Sequence, residues 1–160
     1  MVLRHAKSGH SDPRLSDHER PLNDRGRQAA PRVGRRLNEH ELLPDRILCS
    51  TAARTVETME LLLGEGDQRI ETERLDELYL ASARTILETV VMRGGDADRV
   101  LVIGHNPGME DVLHLLGLGI REMPTATLAR IGLEIDDWAL ATAGPRVELL
   151  DFWLARDLTD

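Results

Sequence analysis

Leu3-Arg4-His5-Ala6-Lys7-Ser8 stands almost at the beginning of the sequence, and the rest of the chain is organised around it. Val2 and Leu3 have the apolar character of a short buried strand, and an arginine and a histidine follow at once. Two polar side chains at the end of a buried strand are costly unless they find partners. The stretch therefore predicts a strand whose end carries a binding site.

Two later stretches repeat this layout. Ile47-Leu48-Cys49 runs into a turn and then a helical pattern, and residues 100–103 run into Gly104-His105-Asn106-Pro107. In open α/β sheets, ligands bind in the crevice outside the carboxyl ends of the strands. Three such ends would gather two guanidiniums and two imidazoles in one pocket, and these groups are Arg4, His5, Arg54 and His105. That set predicts a phosphate site with a candidate nucleophile.

The composition fits a single domain over residues 1–160. The net charge is −8, with 28 acidic against 20 basic residues and no basic block. Nucleic-acid binding depends on neutralising phosphates over a broad surface, so we expect no nucleic-acid partner. An acidic chain that places arginines at one spot suits a small local anion site better.

The single cysteine, Cys49, excludes an internal disulfide and fits a reducing compartment. Because it lies in a strand-like run, we expect a small buried side chain rather than a reactive thiol. No stretch reaches the ~18 apolar residues of a membrane helix, and no signal-peptide pattern precedes Arg4. These features predict a cytoplasmic protein with no membrane partner.

The helix and strand signals predict a three-layer α/β/α sandwich, with a mostly parallel central sheet and an antiparallel edge. The edge is a hairpin of two strands, predicted over 126–135 and 146–153. Four helices follow N-cap signals, which are Asn23, either Ser50 or Thr51, Ser82, and Asn106 before Pro107. In the second helix the expected buried face is Val56, Met59, Leu62 and Leu63.

The chemistry best supported by these residues is phosphoryl transfer to histidine. A neutral imidazole is a good nucleophile, and covalent catalysis divides one difficult step into two. Two guanidiniums can bind the phosphoryl oxygens and stabilise the charge of the transition state. The sequence shows no acidic cluster at metal-ligand spacing, so we expect neither a metal nor another cofactor. A carboxylic acid is needed to protonate the leaving group.

The chain resembles the histidine phosphatase (phosphoglycerate-mutase-like) superfamily, and within it the small SixA-type phosphohistidine phosphatases. The matching segments occur in order along nearly the whole chain, and they are residues 3–8, Arg20-Pro21-Leu22, Arg25-Gly26, 50–58, 78–81, 102–108 and Pro124-Thr125-Ala126. The superfamily's usual Arg-His-Gly has Ala6 in place of the glycine. A methyl group fits at Ala6 if the backbone φ there is negative.

The resemblance implies the fold of that superfamily and a role for each matching residue. His5 would be the nucleophile, and Arg4, Arg54 and His105 would line the phosphate pocket. Ser8 would lie near the phosphate, and Glu77 would donate the proton.

Several alternatives stay open at this level. Asp17, Asp76 and Glu110 are rivals to Glu77 as the acid, and Arg20 suits either phosphate binding or a salt bridge that braces a loop. The remaining histidines are expected in surface or packing roles, and they are His10, His18, His40 and His114.

The substrate is either a phosphorylated protein, such as one carrying phosphohistidine, or a small phosphomonoester. The stretches between the predicted strands are short, so we expect no lid over the pocket. A sugar-phosphate or nucleotide phosphatase, a mutase, and a phosphate-binding module without turnover are the competing functions.

Overall fold

A computed structural model describes residues 1–9, 12–64, 70–119 and 122–158. The six strands of its sheet are β1 (Val2–Arg4), β2 (Arg46–Ser50), β3 (Glu71–Leu75), β4 (Val100–Gly104), β5 (Thr127–Leu133) and β6 (Val147–Leu154). Its α-helices are α1 (Asp24–Glu39), α2 (Ala53–Leu63), α3 (Ala83–Arg93) and α4 (Gly108–Leu115). None of the helices described is both long and apolar enough to cross a membrane.

The strand order is β3-β2-β4-β1-β5-β6, so the short strand at the start of the chain lies inside the sheet. The strands β3, β2, β4 and β1 are parallel, whereas β5 pairs antiparallel with β1 and β6 pairs antiparallel with β5. Arg4 is in register with Gly104, the residue before His105. The predicted mixed sheet with a hairpin at one edge is confirmed, and it brings the ends of β1 and β4 side by side.

Both faces of the sheet are covered by helices, which explains the apolar runs without alternation in β2 and β4. Leu3, Ile47 and Ile103 pack with α1 and α2 on one face. Leu48 and Val102 pack with α3 and α4 on the other. The predicted three layers are therefore present.

Cys49 lies on the α1/α2 side of the sheet and is fully buried, as the sequence predicts. Burial raises the pKa of its thiol to about 12. The thiol is consequently protonated at neutral pH, and the side chain acts as a small core residue.

Two of the predicted helix starts are confirmed. The Asn23 side chain accepts a hydrogen bond from the Gly26 N–H at 3.0 Å, and the Ser82 hydroxyl accepts one from the Thr85 N–H at 3.2 Å.

The other two predicted helix starts are wrong. The N-cap of α2 is Ala52, which has no polar side chain to cap the helix, while the Ser50 hydroxyl bonds to His105 and the Thr51 hydroxyl bonds to His18. α4 begins at Gly108 after a cis Asn106–Pro107 peptide bond, and the Asn106 side chain donates to the Glu110 carboxylate and the Met123 carbonyl instead of accepting from a backbone N–H of the helix. In both cases the polar side chain that suggested a cap is hydrogen-bonded to another partner.

The buried face of α2 also differs from the expected one. Met59 and Leu62 are buried as predicted, but Val56 and Leu63 are only half-buried. The first turns of the helix bury polar side chains instead, which are Arg54, Thr55 and Thr58. An apolar periodicity cannot reveal this, because the polar residues face the edge of the sheet where His5 lies.

The first turn of α1 is held against the backbone that follows His5. The Asn23 N–H donates to the Lys7 carbonyl at 2.9 Å. A Cβ atom added to Gly26 would lie 2.3 Å from the same carbonyl oxygen. Only glycine allows this close approach, so Gly26 helps to fix the segment that carries His5.

We expect Gly26→Ala to lower the free energy of unfolding by about 1–3 kcal/mol, because the added methyl must displace rigid backbone. Urea denaturation at pH 7 measures this loss. Gln28→Ala, at an exposed position of the same helix, is the matched control and should change stability by less than about 0.5 kcal/mol. Equal stability of Gly26→Ala and the wild type would show that the contact is not tight.

Candidate active site

The ends of β1, β4 and β2 bring together the four side chains that the sequence predicts as a pocket. The His5 and His105 rings have centroids 5.2 Å apart and are inclined at 54°. Arg54 lies in the first turn of α2, immediately after β2. The N–H of Ala126 donates to the Arg4 and His5 carbonyls, each at 3.1 Å, and fixes the end of β1.

Ala6 adopts a conformation that suits a residue with a side chain. Its φ is not in the positive region, so the methyl group is accommodated without backbone strain. Its N–H donates to the Thr58 hydroxyl at 3.0 Å, and that hydroxyl donates to the Arg54 carbonyl at 2.6 Å. One threonine thus joins the backbone after His5 to the turn that carries Arg54.

The His5 imidazole is held as a neutral ring with one free nitrogen. Its Nδ1 lies 2.7 Å from the Ala6 carbonyl oxygen. A carbonyl only accepts, so Nδ1 carries the proton and Nε2 carries the lone pair. Burial, together with the charges of Arg54, Arg4 and Arg20, lowers the pKa of His5 to about 4. The ring is 8% exposed and neutral at physiological pH, as a nucleophile must be.

His105 is also buried and neutral, with 2% of its surface exposed. Burial and the charge of Arg54 lower its pKa to about 3. Its Nε2 lies 2.9 Å from the Ser50 hydroxyl oxygen. Its Nδ1 is buried and has no hydrogen-bond partner among the residues that the structure describes. Ser50, which the sequence suggested as a cap, therefore positions the second imidazole.

The two predicted phosphate-binding arginines are anchored in different ways. Arg4 Nη1 donates to the Met123 carbonyl at 2.7 Å, and its buried Nε has no partner in the described chain. Arg54 donates from Nη1 to the Asp17 carbonyl at 2.5 Å and from Nη2 to the Asp17 carboxylate at 2.9 Å. A guanidinium has five N–H groups, so both arginines keep donors for an anion.

Arg20 braces the loop that follows β1. Its Nε donates to the Gly9 carbonyl at 3.0 Å, and Nη1 donates to the Asp17 carboxylate at 2.7 Å. Its Nη2 donates to the Ser8 hydroxyl at 3.1 Å. Of the two alternatives for Arg20, the bracing salt bridge is therefore observed, and the phosphate-binding roles of Arg20 and Ser8 stay predictions.

Two of the four carboxylates considered as the acid are committed to other contacts. The Tyr79 hydroxyl, Arg20 and Arg54 hold the pKa of Asp17 well below its ordinary range, so Asp17 stays ionised. Glu110 accepts hydrogen bonds from the Asn106 side chain at 2.5 Å and from the Met123 N–H at 2.7 Å. Asp17 therefore cannot supply a proton at neutral pH.

The other two carboxylates, Asp76 and Glu77, lie in the turn after β3. Both are exposed, and neither side chain makes a hydrogen bond or an ion pair within the described ranges. Glu77 consequently stays the candidate acid, with Asp76 as its neighbour and rival. The described residues also contain no group of three or more histidine, cysteine, aspartate and glutamate side chains arranged to hold a metal ion.

Tyr79 is the site residue that the analysis of the sequence did not single out. Its ring is edge-on to His105, with centroids 5.4 Å apart, and edge-on to His18 at 4.8 Å. Its hydroxyl donates to the Asp17 carboxylate at 2.7 Å. The only signal was its place in the segment 78–81, which matches the SixA-type proteins.

Three of the four histidines expected in surface or packing roles are among the described residues, and none of the three contacts His5. His18 packs on Tyr79, and its Nε2 lies 3.0 Å from the Thr51 hydroxyl. His40 packs near Trp153, and His114 is exposed on α4. His10 lies outside the described residues.

Comparison with known proteins points in the same direction as the geometry. Residues 1–84 match the family model described as the histidine phosphatase superfamily (branch 1). An uncharacterized protein of Mycobacterium tuberculosis is 34% identical over 105 residues. That match covers 66% of this chain and 63% of the mycobacterial protein, so it spans less than two thirds of that relative.

Two solved structures named as SixA phosphohistidine phosphatases have the same fold. The Nakamurella multipartitia protein gives a TM-score of 0.83 at 29% identity, covering 96% of this chain and 94% of that one. The Agrobacterium tumefaciens protein gives a TM-score of 0.75 at 29% identity, covering 96% and 95%. The predicted resemblance to the SixA-type branch and to its fold is thereby confirmed.

The depressed pKa values of the two imidazoles predict that acid destabilises the protein. Between pH 4 and 6.5 the unfolded chain protonates its histidines, while folded His5 stays neutral because its pKa is about 4. Stability therefore falls as the pH drops through this window. His5→Asn should reduce the slope of unfolding free energy against pH by about 1.4 kcal/mol per unit.

Urea denaturation at pH 7, 6 and 5 measures that slope. His114→Asn, which alters an exposed histidine on α4, is the matched control and should keep the wild-type slope. A wild-type slope in His5→Asn would mean that the ring is not held neutral.

Proposed function

Because the chain belongs to the histidine phosphatase superfamily, we propose that it is a metal-independent phosphohydrolase that acts through a phosphohistidine intermediate on His5. Family and fold support phosphatase activity at the general level. The observation that carries the more specific proposal is the state of His5. Its Nδ1 is bonded to the Ala6 carbonyl, and its pKa of about 4 leaves the Nε2 lone pair available.

In the first step, Nε2 of His5 attacks the phosphorus atom, so that a P–N bond forms and the bond to the leaving group breaks. The leaving group takes the electron pair of that bond and a proton from the acid, for which Glu77 is the candidate. Arg4 and Arg54 bind the phosphoryl oxygens and offset their charge in the transition state. The His5 Nδ1–H stays on the Ala6 carbonyl, which stabilises the positive charge that the ring gains.

In the second step, water attacks phosphorus on the side opposite the P–N bond. The P–N electron pair returns to Nε2, and the ring becomes neutral again. The proton lost by water goes to the carboxylate that gave up its proton in the first step. We assign His105, whose ring centroid lies 5.2 Å from that of His5, a supporting place in the same pocket, with its Nε2 held by the Ser50 hydroxyl.

We propose a protein phosphohistidine as the substrate class. The likeness to structures named as SixA phosphohistidine phosphatases supports this choice. The carboxylates support it too, because Asp17 is held ionised and Glu110 is already hydrogen-bonded. An imidazole leaves readily once its ring is protonated, so a phosphoramidate needs less help from an acid than an alkyl phosphate does.

His5→Ala should lower turnover by roughly 10³-fold or more on every phosphorylated substrate, because no other group replaces the nucleophile. The measurement compares a phosphohistidine protein with a chromogenic phosphomonoester, in the presence of EDTA. Wild-type enzyme that is quenched during turnover should carry an acid-labile phosphoryl group, and this group should be absent from His5→Ala. Lack of both turnover and label in the wild type would favour a phosphate-binding module, and transfer between two positions of one substrate would indicate a mutase.

Glu77→Gln should slow hydrolysis of an aryl or alkyl phosphate more than hydrolysis of phosphohistidine, because only the former depends strongly on the acid. Rates on the two substrates, measured side by side, test this difference. Asp76→Asn is the matched variant, since Asp76 is an exposed carboxylate in the same turn. Equal losses on both substrates would remove Glu77 from the role, and a selective loss in Asp76→Asn would assign it to Asp76.

A further inference from the structure

One carboxylate, that of Asp17, is shared by three segments that meet at the site. It accepts hydrogen bonds from Arg20 of its own loop, Arg54 of α2, and Tyr79 of the turn after β3. The three distances are 2.7, 2.9 and 2.7 Å. These contacts make Asp17 the point at which the position of Arg54 is set.

The position of the Arg54 side chain depends on its hydrogen bonds to Asp17. The Arg54 residue is only 3% exposed, and a buried guanidinium is costly unless its donors are satisfied. Its guanidinium donates to the carbonyl and to the carboxylate of Asp17, and it lies over the Tyr79 ring at 5.9 Å from the ring centroid. The direction of the remaining N–H groups is therefore fixed by where Asp17 lies.

Asp17 itself is on an exposed loop, and its side chain is 48% exposed. Tyr79 restricts the movement of the Asp17 side chain. The Tyr79 hydroxyl donates to the same carboxylate oxygen as Arg54 does, and its ring is packed edge-on against His105 and His18. An aromatic side chain has few rotamers, so Tyr79 holds the carboxylate at a defined distance from the second imidazole.

We propose that Asp17, held by Tyr79, is a positioning residue that aims the free donors of Arg54 at the phosphoryl group. This inference rests on the proposed function, since it assigns Arg54 to phosphoryl binding. If Asp17 acted through its charge alone, neutralising its carboxylate would make the site bind phosphate more tightly. Positioning predicts weaker binding after the same change, because the donors lose their direction.

The test measures binding of inorganic phosphate by calorimetry, and kcat and KM separately, in Asp17→Asn and Tyr79→Phe. Asp17→Asn should weaken phosphate binding about tenfold and lower kcat/KM by about ten- to a hundredfold, mostly through kcat. Tyr79→Phe keeps the charge of Asp17 but removes the hydroxyl, and it should change both quantities in the same direction by a smaller factor.

Asp12→Asn is the matched control, because Asp12 lies on the same loop but its carboxylate bonds only to Arg14 among the described residues. It should leave binding and turnover at the wild-type level. Unchanged or tighter phosphate binding in Asp17→Asn would overturn the proposal, and so would an equal loss in Asp12→Asn. Should Asp17→Asn fail to fold by circular dichroism, wild-type values in Tyr79→Phe would overturn it.

Because phosphate binding does not require turnover, its measurement tests the role of Asp17 independently of the proposed phosphatase activity. A wild type that binds phosphate but shows neither turnover nor a labelled His5 would defeat the phosphatase assignment. The comparison of phosphate binding between Asp17→Asn and Asp12→Asn would still decide whether Asp17 positions Arg54.

Discussion

The structure depends on keeping two imidazoles neutral next to positively charged guanidiniums. Burial and the nearby arginines both disfavour protonation of His5, and its Nδ1 is bonded to the Ala6 carbonyl. The same two influences act on His105, whose Nε2 is bonded to Ser50. Together they place two guanidiniums beside an imidazole nitrogen whose lone pair does not carry a proton. If the rings were exposed to water, the largest cause of their lowered pKa values would be lost.

The rest of the fold can be understood as support for that arrangement. Parallel pairing of β1 and β4 places His5 beside His105, and the antiparallel β5 closes the other side of β1. Gly26 lets α1 approach the segment after His5, and Thr58 ties that segment to α2. Elements that the core needs are thus also the ones that hold the site.

The sequence predicted the layers, the antiparallel edge and the convergence of four side chains, because apolar runs and their polar ends are local features. The starts that it predicted for α2 and α4 were wrong. Ser50 and Asn106 have the side chains of N-cap residues, but Ser50 is hydrogen-bonded to His105 and Asn106 to Glu110. Cap preferences describe a helix in isolation, whereas here Ser50 is bonded to His105 from a distant part of the chain and Asn106 is bonded to the Glu110 side chain of the same helix. Tyr79 escaped notice for the same reason, since its role exists only through Asp17 and His105.

The sequence by itself predicted that Arg4, His5, Arg54 and His105 meet, because each of them stands at or just after the carboxyl end of a predicted strand. The tertiary structure alone decided their chemical state. A pKa of about 4 for His5 requires knowledge of burial and of the arginines around it. The same holds for Asp17, which the sequence offered as a possible acid and the fold holds ionised between Tyr79, Arg20 and Arg54. Protonation depends on three-dimensional distance and solvent access, and neither can be read along a chain.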